Sequence, residues 1–506
     1  MGLLKLFKGK KKDSSRLSMQ DIRALNRRQF DSAKFDNIFS GWTGTNSTPD
    51  EELRGALPTI RARTRSVCQN SEYARKFLAM TKQNVIGPKG IKFQAKTRRS
   101  DGSLDRVDND YLESSFFEWA INKDFCSIDG RQDWIGIQNL AMETLARDGE
   151  CFIRLMRGDE DNPFGLSLWV LEGDAIPINH NIQTKNQEYI VMGIEQNQFG
   201  RPLAYYQQVR TPTEQYNYQF DSKTERVPAS EMIHLFMQER PAQSRGIPWM
   251  QSAIRPLEML NSYSESELVA SRIGSSSMGF FKSPGADGYS GTAEDSDGNL
   301  ITEFAPGQFQ QLPAGMEFQS FDPQHPTTAF GDFVKSILRS VANGCLVSYN
   351  ALANDLESVN YSSLRAGARE EQSHWKSVQE FFISGFMYPV YREWIRMGIT
   401  TGRLQLPMSK LRKFEEVKFI GRGWPWVDPE KELKAKKLAL EMGTTSLSEI
   451  AAEQGKEWTD VLAQLTAEKD VAAGLGLTLT QPVSDPPTET IEVEDNRSEE
   501  IEETQT

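Results

Sequence analysis

Residues 359–382 read VNYSSLRAGAREEQSHWKSVQEFF. Tyr361, Ser362, Ser363 and His374 are the residue types of a nucleophilic hydrolase. Ser373-His374-Trp375-Lys376 even fits the S-x-x-K pattern of serine β-lactamases, but neither S-D-N nor K-T-G occurs to complete such a site. The spacing of apolar residues gives a different reading. Trp375, Val378, Phe382, Phe386, Val390, Trp394 and Met397 follow in steps of 3, 4, 4, 4, 4 and 3, a sustained helical face. Burying each large side chain of that face is worth roughly 1.5–3 kcal/mol, so the stretch reads as core rather than active site. Pro389 predicts a kink. Asn360, Tyr361 and Ser362 read as the structural cap of the helix, worth about 1 kcal/mol. A serine hydrolase using Ser362 or Ser373 with His374 is the enzymatic alternative.

Upstream of this helix, Cys345–Val359 reads as a loop. Phe330–Gly344 reads as a helix with Lys335 and Arg339 one turn apart. Phe309–Phe321 reads as a hairpin, after a Gly, Ser, Asp and Pro rich stretch from Ser283. Pro248–Ile273 carries a helical stripe at Met250, Ile254, Leu257 and Leu260. Before Ile247 the texture is different. Thr48-Pro49-Asp50-Glu51 is a capping box opening a helix to about Gln69, and a second helix runs from Ser71 to Gln83. Arg61 and Arg65 lie one turn apart, read as a salt-bridged surface. A strand at Ile91–Ala95 and helices at Tyr111–Ala120 and Trp134–Asp148 precede five short strands. These are Cys151–Met156, Leu166–Leu171, Tyr189–Ile194, Leu203–Val209 and Met232–Phe236. Downstream of the central helix, three short helices begin at Asp428-Pro429, at the Ser446–Glu449 capping box and at Glu457. The fold class is α+β: an antiparallel α+β first half followed by long helices.

Composition narrows the function. The chain of 506 residues has room for two or three domains. No apolar run approaches the roughly 18 residues of a membrane helix, so no membrane partner is expected. Residues 1–16 are strongly basic, residues 485–506 strongly acidic, and the total charge is −12. Each end reads as a solvated tail, though the basic one could bind nucleic acid or an acidic protein. An acidic body disfavours tight duplex binding but allows DNA to pass without sticking. The four cysteines show no C-x-x-C and read as buried thiols. The four histidines are scattered, and there is no H-E-x-x-H, G-x-x-x-x-G-K-[ST], G-x-S-x-G or G-x-G-x-x-G. No catalytic residue, cofactor site or metal site is expected, and the chain reads as a non-enzyme.

Nine segments in order resemble the portal proteins of lambda-type tailed bacteriophages. They are Arg61–Ser66 with Asn70 and Tyr73-Ala74; Asn84–Ile91; Asp148–Arg154; Gly193–Glu195 with Gly200–Pro202 and Ala204-Tyr205; Arg226–Ala229; Ile233–Phe236; Arg240–Trp249; Asn360–Arg365; and Asp428-Pro429 with Lys431-Glu432. One departure is Ala242, where the R-P-G-Q-x-R-G turn would carry Gly; a wider turn is expected there. The resemblance implies a ring of about twelve copies at one capsid vertex of the virion, assembled in the host cytoplasm. It implies a channel for double-stranded DNA, packaged by a terminase and later ejected. Implied partners are the terminase large subunit, major capsid and scaffold proteins, and tail or neck connector proteins. The implied division is a basic arm (1–47), an α+β wing (48–246), a stem helix (247–283) and a clip with hairpin (284–326). A channel loop with long helices (327–427), a helical crown (428–475) and an acidic tail (476–506) follow. Lys335 and Arg339 become candidate DNA-channel contacts. Another structural capsid or neck protein is the alternative within the virion.

Overall fold

The computed structural model describes residues 46–475 except 159–160, 184–188, 210–222, 276–278, 283–316, 321–329, 358–360, 425–428 and 455–457. Helix α1 (Pro49–Asn70) starts at a reciprocal capping box. Glu51 N donates to Thr48 Oγ1 at 3.3 Å and Thr48 N donates to Glu51 Oε2 at 3.0 Å. Then come α2 (Glu72–Val85), β1 (Lys92–Ala95), α3 (Arg106–Ile121), α4 (Lys123–Cys126) and α5 (Trp134–Asp148). The strands follow: β2 (Glu150–Arg157), β3 (Leu166–Leu171), β4 (Ile182–Gln183), β5 (Tyr189–Val191), β6 (Ile194–Gln196), β7 (Pro202–Gln208), β8 (Thr224–Pro228) and β9 (Met232–Phe236). They form two antiparallel sheets, ordered β3-β2-β9 and β4-β5-β6-β7-β8. The second half contains α6 (Ile254–Ser275), β10 (Gly279–Lys282), β11 (Glu317–Ser320), α7 (Phe330–Gly344), α8 (Tyr349–Ala353), α9 (Tyr361–Phe382), α10 (Tyr388–Thr400) and α11 (Leu411–Phe414). It closes with β12 (Val417–Ile420), α12 (Pro429–Glu441), α13 (Leu447–Glu453) and α14 (Trp458–Gly474).

Three local readings are corrected and one strand is added. Tyr189–Ile194 is not one strand. Met192 (φ 48°) and Gly193 (φ 79°) both take positive φ and turn the chain between β5 and β6. A methionine in that position carries no turn signal. The loop Cys345–Val359 contains α8, whose Ser348 hydroxyl accepts from Ala351 N and which Asn354 ends at φ 53°. Glu317–Ser320 pairs with Gly279–Lys282 rather than within a local hairpin; residues 309–316 and 321 lie outside the described residues. The strand β12, unmarked by any turn, pairs with β1 more than three hundred residues upstream.

The aromatic stripe behind the opening segment is core, as its periodicity required. Trp375, Val378, Phe382, Phe386, Val390 and Trp394 are all buried. Trp394 meets Phe116 edge-on at 5.1 Å and stacks near Phe164 at 5.7 Å, and Phe386 lies 5.2 Å from Trp134. The long helices thus grip the α3–α5 layer. The interruption at Pro389 is a π-helical turn, Ile383–Met387. Proline has no N–H for the carbonyl four residues back and its ring crowds that carbonyl, and one widened turn accommodates both.

Candidate functional site: a buried arginine–carboxylate hub and the Lys335 helix

Asp148 ends α5, Gly149 reverses the chain at φ 85°, and Glu150 opens the central strand β2. That places a carboxylate among apolar neighbours with no exposure to water. It is satisfied from four directions. Arg61 of α1 donates through Nη2, His234 of β9 lies at 3.0 Å, and the backbone N of Gly246 donates at 3.0 Å. Arg245 donates through Nε at 2.8 Å and Nη2 at 2.5 Å. The remaining N–H groups of Arg245 reach the carbonyls of Met192 (2.6 Å), Gly173 (2.7 Å) and Ile176 (3.2 Å). All five guanidinium donors are therefore used. A second layer continues outward: Arg65 and Arg147 each hold Asp148 through two bonds, and Arg147 reaches Glu172 at 2.9 Å.

This corrects the reading of Arg61 and Arg65 as a surface pair. Both are salt-bridged, but Arg61 is only 1% exposed and Arg65 is half-buried. Burial by itself would raise the Glu150 carboxyl; Arg245, Arg61 and the His234 contact outweigh it and hold it well below the usual carboxylate range. Burial likewise lowers His234, so the imidazole is neutral and its Nε2 donates to Glu150. Every member is committed to another, leaving no free nucleophile or base. The arrangement clamps α1, the α5–β2 turn, both sheets and the segment leading into α6.

Ala242 adopts φ 63°, so the turn before Arg245 keeps the left-handed form that glycine favours instead of widening. Gln243 satisfies it, accepting from Glu239 N (2.9 Å) and Arg240 N (3.1 Å). A Cβ in that region costs about 1–2 kcal/mol. Ala242→Gly is accordingly expected to stabilise the protein by about 1 kcal/mol, read as a higher midpoint in urea unfolding. An unchanged or lower midpoint would refute strain at this turn.

Lys335 and Arg339 lie on successive turns of α7, which buries Leu338, Val341 and Ala342. Both cations engage the segment that follows. Lys335 Nζ lies 3.1 Å from Glu357 and 3.5 Å from Asp355, and Arg339 sits over the ring of Tyr349 at 5.4 Å. Tyr349 in turn donates to Asp355 at 2.7 Å. Of the cap residues, Asn360 lies outside the described residues, while Tyr361 and Ser362 are the first two positions of α9. Ser373 is exposed and His374 packs against Trp375 at 5.2 Å. Among the described residues no hydrogen bond joins Ser373 to His374, and no group of three or more His, Cys, Asp or Glu side chains is placed to hold a metal.

The model of the family "Phage portal protein, lambda family" matches residues 35–379. A probable portal protein of Halomonas phage phiHAP-1 is 32% identical over 447 residues, covering 87% of this chain and 86% of the relative. The chain belongs to the lambda family of phage portal proteins. Portal proteins are structural components of the virion and not enzymes, which disposes of the hydrolase alternative. The portal protein of Escherichia phage N15 is 21% identical over 88% of this chain and 90% of its own. Portal protein B of Escherichia phage lambda is 25% identical over 30% of each. Among solved structures, the neck of an empty GTA particle has a TM-score of 0.42 at 13% identity, covering 78% of this chain and 93% of that one. The neck of a native GTA particle has a TM-score of 0.41 at 11% identity, with the same coverage.

Four of the segments that carried the resemblance to portal proteins meet in the hub. Arg61–Ser66, Asp148–Arg154, Ile233–Phe236 and Arg240–Trp249 supply Arg61, Glu150, His234 and Arg245. Two others meet at the sheet, where Arg226 donates to Glu195 at 2.8 Å through two nitrogens. Sequence reasoning missed Glu150 and Arg245 as partners. The available signal was a charged residue directly before an apolar strand, which states that a partner exists but not which one.

Proposed function

We propose that this portal protein forms a ring of about twelve copies at one vertex of the capsid. Double-stranded DNA is packaged through the hole by a terminase and later ejected, and tail or neck proteins dock below. Assembly takes place with capsid and scaffold proteins in the host cytoplasm. The family match is the observation that carries this reading. The single chain adds support, because its later helices leave large apolar side chains uncovered: Met259, Leu268 and Val269 on α6, and Leu433, Leu438 and Val471 on α12 and α14. Neighbouring subunits of a ring would bury such surfaces. Purified protein should form annuli with an axial hole in negative-stain images; a closed shell or a monomer would overturn the ring.

In this reading α7 and the segment after it line the channel. Lys335 and Arg339 are held by Asp355, Glu357 and Tyr349, so their attraction for phosphate is tempered and salt-sensitive. Lys335→Ala combined with Arg339→Ala is expected to leave rings intact and to reduce DNA-filled particles several-fold. Unchanged packaging together with unchanged DNA retention would remove both residues from the channel.

A further inference from the structure

Asn354 ends α8 at φ 53°, and the residues after it bring two carboxylates to Lys335 of α7. The two are held differently. Asp355 is fixed in the turn. Its Oδ2 accepts from the Tyr349 hydroxyl at 2.7 Å and its Oδ1 accepts from Glu357 N at 3.0 Å. Its approach to Lys335, at 3.5 Å, comes on top of those bonds. Through Tyr349, whose ring lies under the Arg339 guanidinium, Asp355 also steadies the second cation. Glu357 lies nearer to Lys335, which donates to it at 3.1 Å, yet its side chain is 77% exposed. The Lys335 side chain is 37% exposed, so its ammonium remains open to a third party.

We propose that Glu357 is a built-in competitor of DNA phosphate for Lys335: it pairs with the lysine when no duplex is beside it and gives the lysine up when one passes. The proposal rests on the reading of α7 as channel wall. An exposed lysine–carboxylate pair is weak, because water and salt screen it. Duplex DNA presents one negative charge per about 1.7 Å of its axis and gains further from the counterions it releases. A phosphate therefore displaces the single exposed carboxylate. When that phosphate moves on, Glu357 is still tethered to the same turn and re-forms the pair without diffusing in. Asp355 stays in place throughout, since its bonds to Tyr349 and to the Glu357 backbone do not involve Lys335. The result is a contact that moving DNA makes and breaks, rather than one on which it stalls.

Titration of the purified full-length protein with a short fluorescent duplex, at several salt concentrations, tests this. Glu357→Gln keeps the side chain's shape and removes its charge at an exposed position. It is expected to tighten duplex binding about threefold and to steepen its salt dependence. Lys335→Gln is expected to weaken binding, and in the double variant the gain from Glu357→Gln is expected to vanish. The basic residues 1–16 are the same in all four proteins and cancel in the comparison. If Lys335→Gln weakens binding while Glu357→Gln leaves it unchanged, the competition is overturned and the channel reading stands. If neither variant changes binding, the channel contact falls together with the proposal. An equal gain with and without Lys335 assigns the effect to net charge and overturns the proposal as well.

Discussion

Glu150→Gln is expected to destabilise the protein by about 3–5 kcal/mol, because it leaves two buried guanidinium groups without their counter-charge. Arg61 and Arg245 are 1% and 0% exposed, so water cannot replace the lost carboxylate. The glutamine amide would also turn an N–H toward donors where an acceptor now stands. The loss should appear as a large drop in the urea midpoint and in soluble yield. A change below about 1 kcal/mol would show that the hub is not a stabilising centre. The same site sets an acid limit. Glu150 has a depressed folded pKa, so its contribution is present above the unfolded carboxylate range and is lost as pH falls toward the folded value. His234 is also depressed; below about pH 6.5 the unfolded chain takes up a proton that the buried imidazole does not. Both groups therefore make stability fall on acidification, beginning in the histidine range. In Glu150→Gln the share of the carboxylate-range loss that Glu150 contributes should disappear, while the share from other paired carboxylates such as Asp148 and Glu195 remains.

Gly246→Ala is expected to abolish soluble folded protein, a loss above about 4 kcal/mol. A Cβ there would sit 2.0 Å from the Gly149 carbonyl oxygen and 2.6 Å from its carbonyl carbon. Those are backbone atoms, and the segments carrying them are tied in place. Gly149 N donates to Leu145 O at 2.9 Å, Trp249 N donates to Ala146 O at 3.2 Å, and Gly246 N donates to Glu150. The added methyl therefore has no flexible neighbour to displace. Gly55→Ala is the matched control, since nothing lies within 4 Å of a Cβ built there. On the exposed face of α1 it should be neutral or stabilising by about 0.5–1 kcal/mol. If both variants fold with similar stability, the close approach of the two backbones is not a constraint. The pair separates backbone crowding from the general effect of adding a methyl group to a glycine.

The α+β class and most elements were legible in the residues, and so was the family. The Thr48–Glu51 and Ser446–Glu449 capping boxes form as read. Helix α5 runs from Trp134 to Asp148 as its periodicity requires, and β3 matches Leu166–Leu171. Helix α3 begins at Arg106, ahead of the expected Tyr111, because the apolar residue of its first turn, Val107, is exposed and the others are polar, so that turn adds nothing to the apolar stripe. The hairpin at Met192-Gly193 escaped because nothing in a methionine announces positive φ. The apparent nucleophiles were set aside by the same arithmetic that found the core: Trp375, Val378 and Phe382 need one buried face, and Ser373 falls off it.

By itself, the sequence determined what is local. Backbone geometry makes helices and strands periodic, so apolar spacing reveals which face of α9 and α10 is buried, and side-chain chemistry reveals which residues cap or turn. The tertiary structure alone decided the partners. Glu150 meets Arg61 from 89 residues before it and Arg245 from 95 residues after it. It also decided that the turn at Ala242 stays left-handed and that β1 pairs with β12. A charge states only that it needs a counter-charge. Which one it finds is set by the packing of segments far apart in the chain, and no local period records that.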